Sequence, residues 1–313
     1  MRWGGPLGCP LSGEESHTMT MIFGVPMAVF MGQLTLGLVN GAFYALLSLG
    51  LAVIFGLLKI VNFAHGAQYM LGAFAALLGF RYLGINYWLA LILVPLVVGG
   101  FGMLMERFLL RRIAHLDHLY GLLLTFGLAL IFEGTLINFF GVSGARYATP
   151  EILQGGLNLG FMFLPTYRAW VLVAALAMCL FTWFMIERTR LGAYLRAGTE
   201  NSQLMQAFGV NVPLLITLTY GFGVGLAAFA GVLAAPLYPV SPTMGSSLLI
   251  VVFAVVVIGG MGSILGAILT GLGMGIIEGL TKVYYPEASN TVIFLVMILV
   301  LMLRPAGLFG KEA

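Results

Sequence analysis

The sequence predicts an all-α protein, a polytopic transmembrane helical bundle of about eight to ten spans with a short cytoplasmic helix. Three observations support this class: hydrophobic residues make up 61% of the 313 residues, charged residues only 8%, and the mean hydropathy is +1.06. A soluble domain carries about 25% charged residues. The apolar runs are long and continuous, whereas a transmembrane β-barrel would show short alternating segments.

The apolar segments set the expected spans, because a helix needs about 20 residues to cross a bilayer. The first segment is too long for one straight span and contains Asn40, so we expect a kinked helix or a broken helix with a re-entrant part. Two late segments are short and fit either re-entrant or tightly packed helices. The segments are 27–57, 62–80, 87–106, 119–139, 168–186, 214–238, 245–261, 262–281 and 289–303.

The bundle is expected to occupy residues 27–308 as one domain. Residues 1–26 contain Gly, Pro and Ser and lack helical periodicity, so we interpret them as a disordered tail or as residues ahead of a later start codon. Cys9 and Cys179 are too few to build a disulfide framework.

The distribution of Lys and Arg predicts the orientation, because cytoplasmic loops carry an excess of both. If the N-terminus is outside and each segment crosses once, nine of the 14 basic residues fall inside. The bias is sharpest at 107–112 and 188–196, both next to membrane ends. The C-terminus and residues 187–213 are therefore expected in the cytoplasm, and residues 140–167 outside.

Residues 187–213 form the one long polar stretch between the apolar segments. A short amphipathic helix is predicted from about 200 to 208, roughly 14 Å long at 1.5 Å per residue. Thr199 can cap its start and Gly209 can end it. Leu204 and Phe208 fall on one face. The helix is too short to span a bilayer and too apolar on one side for water, so we expect it to bind a groove in another protein or the membrane surface.

A late series of glycines has two interpretations. Several stand four residues apart, as Gly271 and Gly275 do, which lets neighbouring helices pack backbone to backbone. Alternatively, Gly259–Ser263 breaks a helix so that the backbone at Gly260 and Gly262 lines a pathway. No Gly-Lys-Ser/Thr phosphate loop is present in the sequence.

Other polar side chains within the apolar segments are candidate site residues. Asn62, His65 and Gln68 stand at three-residue spacing on one helical face, where they satisfy backbone and headgroups or line the inner mouth of a pathway. Asn40 is a further candidate for the pathway. Glu278 falls toward the outer end of its segment, as Glu133 does, so we expect a boundary position rather than a proton relay.

The sequence contains no arrangement that predicts catalysis, a metal site or a cofactor. His115 and His118 flank Asp117, but a metal site needs further ligands, so a solvated loop is the favoured interpretation. The small net charge of +3 comes from loop Lys and Arg and predicts membrane topology rather than nucleic-acid binding.

Three sets of residues together resemble a known family. These are Asn-Phe-Ala-His-Gly at 62–66 with Tyr-Met-Leu-Gly-Ala at 69–73, Ile-Gly-Gly-Met-Gly-Ser at 258–263, and the polar pattern within 192–210. They are similar to the permeases of bacterial branched-chain amino acid ABC importers, in particular to the smaller, H-type subunit. The likeness covers about residues 30–308.

This resemblance implies an import complex in the bacterial inner membrane. Two permease subunits would form the pathway, two cytoplasmic ATP-binding subunits would dock on the coupling helices, and an extracytoplasmic binding protein would deliver the substrate. Lipid is the other partner. The coupling residues would be Arg196, Glu200 and Asn201, which position the segment, and Leu204 and Phe208, which insert into the ATP-binding subunit. Gly209 ends the helix.

Several alternatives stay open from the sequence alone. The same type of complex imports urea, short amides or other small organic solutes, and the permease pair can be a homodimer or a heterodimer. An ion-coupled secondary carrier is the main rival, and it would require an inverted repeat with broken helices near the midplane. A third alternative is a membrane-embedded enzyme, but the sequence contains no catalytic arrangement of residues that would support it.

Overall fold

The computed structural model describes residues 21–22, 25–58 and 61–310. Within these ranges the chain is a bundle of α-helices, as predicted. Their bounds are α1 Met27–Leu58, α2 His65–Leu83, α3 Tyr87–Met105, α4 Arg111–Ile113, α5 His118–Phe140, α6 Thr166–Arg188, α7 Arg190–Glu200, α8 Ser202–Ala207, α9 Val212–Ala234, α10 Met244–Gly259, α11 Ile264–Tyr284 and α12 Val292–Leu303.

The remaining described elements are short. A π-helical turn, Glu106–Leu110, joins α3 to α4, and two 3-10 turns occupy Glu151–Leu153 and Pro286–Ala288. Strands β1 Met21–Ile22 and β2 Val25–Pro26 pair antiparallel, as do β3 Gly156–Asn158 and β4 Phe163–Pro165. Apart from β1 and β2, the prediction for residues 1–26 lies outside the described residues.

Each predicted apolar segment corresponds to one helix. Among the described residues, six helices are long and apolar enough to cross a membrane, namely α1, α3 with its continuation to Ile113, α5, α6, α9 and α11. Helices α10 and α12 are apolar but have only 16 and 12 residues, which agrees with the two short segments. Helix α2, with 19 residues, completes the set.

Helix α1 lies at the centre of the bundle. It packs against α11, α9, α6 and α10, and nearly all of its residues from Gly41 to Ile54 are buried. The predicted broken first helix is not found, because α1 runs without interruption for 32 residues through Asn40. A kink within α1 stays a prediction. At 1.5 Å per residue α1 is about 48 Å long, longer than the hydrocarbon core.

Glycines bring α1 and α11 into backbone contact. A methyl group added at Gly37 would lie 2.5 Å from the Gly275 carbonyl oxygen, and one added at Gly279 would lie 2.6 Å from the Gln33 carbonyl oxygen. One added at Gly41 would lie 2.9 Å from the oxygen of Leu272. Each neighbour is main chain and cannot rotate away. This confirms the packing interpretation of the late glycines.

The break in the late glycine series is also confirmed. Helix α10 ends at Gly259 and α11 begins at Ile264. Between them Gly260 and Gly262 have φ of 99° and 83°, a left-handed conformation that side chains other than glycine rarely adopt. The Ser263 hydroxyl accepts a hydrogen bond from the Gly266 amide at 3.1 Å and caps α11.

Candidate functional site

A cavity of about 750 Å³ opens at one end of the bundle. Its walls come from the middle of α1, from α2, from the turn after α9, from the first turns of α10 and from the second half of α11. The volume lies within the range of small-molecule sites. The lining residues are Asn40, Phe43, Tyr44, Tyr69, Tyr238, Ser241, Thr243, Met244, Ser246, Ser247, Leu248, Glu278 and Lys282.

A buried ion pair lies in one wall of this cavity. Glu278 is only 5% exposed. Tyr44 donates a hydrogen bond to Glu278 Oε2 at 2.7 Å, and Lys282, one helical turn further along α11, donates to Oε1. The pair with Lys282 was not predicted from the sequence, and the boundary position expected for Glu278 stays a prediction. The sequence signal that could have revealed the pair is the i, i+4 spacing of Glu and Lys in an apolar helix.

Hydroxyl groups surround the rest of the cavity. Tyr238 lies within hydrogen-bonding distance of Asn40, with its hydroxyl 3.4 Å from Oδ1. Burial raises the pKa of the Tyr238 hydroxyl above its ordinary value. The exposed Ser246 and Ser247 lie in the first turns of α10, where the helix dipole is positive.

The other predicted pathway residues on α2 and the link before it lie away from this cavity. Asn62, His65 and Gln68 are at most 1% exposed. Asn62 donates to Gln68 at 3.1 Å, Gln68 donates to the Tyr220 hydroxyl at 3.1 Å, and His65 Nε2 lies 3.0 Å from the Leu47 carbonyl oxygen. In this structure the three side chains tie α1, α2 and α9 together, and a pathway role for them stays a prediction.

The polar segment after α6 differs from its prediction at its start. Residues 190–200 belong to α7, so Thr199 does not cap a helix at this point. The shorter α8 is capped by Asn201, whose Oδ1 accepts from the Leu204 amide at 2.9 Å. A six-residue helix is favoured there because Asn is a stronger N-cap than Thr. The predicted stop is confirmed, since Gly209 has φ of 80° directly after α8.

The apolar face of α8 is open. Leu204 is 53% exposed and Phe208 is 75% exposed, while Met205 between them is partly buried. The side chain of Glu200 lies outside the described part of the structure. Two large apolar side chains are therefore exposed on an otherwise polar segment.

Arg196 attaches this segment to the bundle. Its Nη1 donates to the Ile186 carbonyl oxygen at 2.7 Å and pairs with Glu187 at 3.5 Å, so α7 folds back on the end of α6. Arg196 also borders a small cavity of about 90 Å³, together with Gly262 and Ile264 at the start of α11. The segment therefore borders the same cavity as the end of α11 that lies opposite Glu278.

A second contact joins the first turns of α9 to the segment that follows α3. Glu106, 2% exposed, pairs with Arg111 at 3.0 Å and accepts from Thr217 at 2.6 Å. Arg111 also donates to the Pro213 carbonyl oxygen at 2.8 Å. Helix α9 begins five residues after α8, so these contacts lie close to α8 in the chain.

Elsewhere the candidate residues have structural roles. Asp117 caps α5 by accepting from the Leu119 amide at 2.9 Å. Among the residues that the structure describes, His, Cys, Asp and Glu side chains do not gather in groups of three or more that could hold a metal ion. The cavity has the volume and the mixed polar and apolar lining of a site for a small molecule.

Comparison with known proteins gives consistent matches. The model of a family described as the permease component of branched-chain amino acid transport systems matches residues 33–301. The high-affinity branched-chain amino acid transport system permease protein LivH of Escherichia coli K12 is 31% identical over 301 residues, which cover 90% of this chain and 96% of that protein. BraD, a permease protein of the same description from Pseudomonas aeruginosa, is 30% identical over 304 residues, with the same coverage.

More distant relatives extend the comparison. A probable branched-chain amino acid transport permease protein LivH of Methanocaldococcus jannaschii is 28% identical, covering 85% of this chain and 88% of that protein. The LivM permease protein of Escherichia coli K12 is 27% identical, covering 85% of this chain and 67% of that protein. No solved structure matches.

Proposed function

Because the chain belongs to the family of permease components of branched-chain amino acid transport systems, we propose that it forms part of the transmembrane pathway of an ATP-driven importer. The proposed substrates are branched-chain or related amino acids. The observation that carries the proposal is the cavity lined by Tyr44, Glu278 and Lys282, connected through α11 to the exposed segment at α7 and α8.

The energy for transport is proposed to come from outside this chain. Two cytoplasmic ATP-binding subunits would dock on α8, with Leu204 and Phe208 inserted and with Arg196, Glu200 and Asn201 positioning the segment. A second permease subunit, identical or a longer relative, would complete the pathway. An extracytoplasmic binding protein would deliver the substrate to the opposite end.

Helix α11 is the proposed connection between these two ends. Ile264 and Arg196 border the same small cavity, and Lys282 lines the large one. The 18 residues between Ile264 and Lys282 span about 27 Å. Because the main chains of α1 and α11 are in contact, the two helices would move together. A displacement at α7 would then reach the large cavity. The movement requires that the ATP-binding subunit contacts α8 differently in its two states.

The chain is a multi-pass membrane protein, and we propose that its N-terminus is outside and its C-terminus is cytoplasmic. The large cavity would then face outward. The segment after α5 is placed at its mouth, where Ala145 pairs with Val240 through hydrogen bonds of 2.9 and 2.8 Å. The binding protein would dock on this side of the membrane. The ATP-binding subunits would dock on α8 at the other side.

Reconstitution tests the proposal directly. The chain is purified with its ATP-binding subunits and second permease and placed in liposomes, and leucine uptake is measured with the liganded binding protein outside. Uptake should require internal ATP and survive collapse of proton and sodium gradients. Uptake that persists without ATP and stops with the gradient would instead support an ion-coupled carrier, and uptake of urea or acetamide but not leucine would overturn the proposed substrate.

A further inference from the structure

The ion pair in the large cavity has a feature that the transport scheme does not require. Glu278 and Lys282 are the charged residues among the described lining, one of each sign, so the lining is neutral overall while carrying two separate charges. An ion pair placed in an apolar helix loses solvation that its own attraction repays only in part. A purely passive wall would be built at lower cost from uncharged side chains.

Both members of the pair keep hydrogen-bonding capacity for another molecule. A carboxylate accepts at about four positions, and Glu278 accepts from Tyr44 and Lys282 among the described residues. An ammonium group donates three hydrogen bonds, and Lys282 donates to Glu278 in the described contacts. The Lys282 side chain is 35% exposed and belongs to the cavity lining.

A free amino acid matches this arrangement in charge. Its ammonium and carboxylate groups are attached to one carbon, so they form a dipole as compact as the pair itself. Aligned antiparallel, the ammonium approaches Glu278 and the carboxylate approaches Lys282. Phe43, Tyr69 and Leu248, which also line the cavity, supply apolar surface for an aliphatic side chain.

We propose that Glu278 and Lys282 are specificity-determining residues, which recognise the α-ammonium and α-carboxylate groups of the transported amino acid. The proposal rests on the proposed function for the identity of the cargo. The proposal also predicts that urea and short amides bind poorly in the cavity, because they lack the charges that would offset the desolvation of Glu278 and Lys282. An amino acid with a charged side chain adds a third charge without a partner in the cavity.

Ligand binding to the permease complex without its binding protein tests the proposal. The complex in lipid nanodiscs is titrated with leucine, with 3-methylbutylamine, which lacks the carboxylate, and with 4-methylpentanoate, which lacks the ammonium. Binding of each compound is measured by saturation-transfer NMR, which detects weak ligands. Leucine should bind about tenfold or more tightly than either analogue, because each lost charge-assisted hydrogen bond weakens binding by at least that factor.

Two variants assign the recognition to each residue. Lys282→Met should bind leucine no better than 3-methylbutylamine, and Glu278→Gln should bind leucine no better than 4-methylpentanoate. Lys282→Arg should keep the preference for leucine. Glu133→Gln, which replaces a carboxylate of α5 outside the cavity lining, is the matched control and should behave like the wild type.

The proposal is overturned if the wild type binds leucine and both analogues equally, or binds none of them. It is also overturned if Lys282→Met and Glu278→Gln keep the full preference for leucine. The wild-type series decides even where a variant fails to assemble. The titration uses neither ATP nor binding protein, so leucine binding without ATP-driven uptake would contradict the proposed function alone, and the converse would contradict this inference alone.

Discussion

The close contact of α1 with α11 predicts that Gly37→Ala damages the protein severely. The added methyl group would lie 2.5 Å from the Gly275 carbonyl oxygen and 3.1 Å from the Gly279 Cα atom. The first distance is about 0.9 Å short of the 3.4 Å at which ordinary van der Waals contact begins. Both neighbours are main-chain atoms of a packed helix, so the helices must separate. Such overpacking costs about 1–3 kcal/mol, and we expect the upper end of that range.

Gly32→Ala is the matched control on the same helix. Its methyl group would meet only the Met162 sulfur among the described atoms, at 3.9 Å, which is ordinary contact. Both substitutions gain the same helix propensity, roughly 1 kcal/mol, so the difference between the variants isolates the collision. The assay is the apparent unfolding temperature of the purified complex, measured by size-exclusion chromatography after heating, together with ATP-driven uptake.

Gly37→Ala should unfold at a clearly lower temperature than Gly32→Ala and should lose most of its uptake. Gly32→Ala should keep wild-type uptake and unfold slightly above the wild-type temperature. Equal unfolding temperatures and equal uptake for the two variants would refute the claim that α1 and α11 touch through their main chains at Gly37.

Two further predictions concern the end of the bundle that carries α8. Arg111→Met should reduce uptake and destabilise the complex by about 1–3 kcal/mol, because buried Glu106 loses its cation. Arg112→Met, at an exposed position, should leave uptake and stability unchanged. An equal loss in the two variants would contradict a specific pair between Glu106 and Arg111. Asn201→Ala should weaken α8 by about 1 kcal/mol and lower the ATPase activity of the complex, since the N-cap is lost. Gln203→Ala on the same helix should keep full activity. Equal ATPase activities of the two variants would exclude a role of the cap.

Much of the fold could be predicted from the sequence because bilayer thickness fixes helix length. Each long apolar segment became a helix, and the left-handed glycines at Gly209 and Gly260 marked helix ends as expected. The continuity of α1 through Asn40 was not predictable in the same way. Asn40 interrupts the hydropathy pattern, but it does not break the helix, because its side chain faces the cavity and contacts Tyr238.

The candidate site was harder to predict because it depends on contacts between distant residues. Tyr44 and Glu278 are separated by 234 positions, and their contact follows from the antiparallel packing of α1 and α11. Asn62 and Gln68 have the polarity of pathway residues, yet they satisfy each other inside the bundle. Polarity alone does not distinguish a side chain that lines open space from one in a closed network.

The central claim, that ATP-binding subunits dock on α8, is tested most directly by Phe208→Asp. Burying a phenylalanine in a groove contributes about 1.5–3 kcal/mol, and a carboxylate in its place also resists desolvation. The matched control is Phe161→Asp in the loop between β3 and β4, where the phenylalanine is 37% exposed. Affinity purification of each variant from cells that express the whole importer measures how much ATP-binding subunit is retained. The account predicts loss of these subunits from Phe208→Asp and full retention by Phe161→Asp; retention by both, with normal uptake, would contradict it.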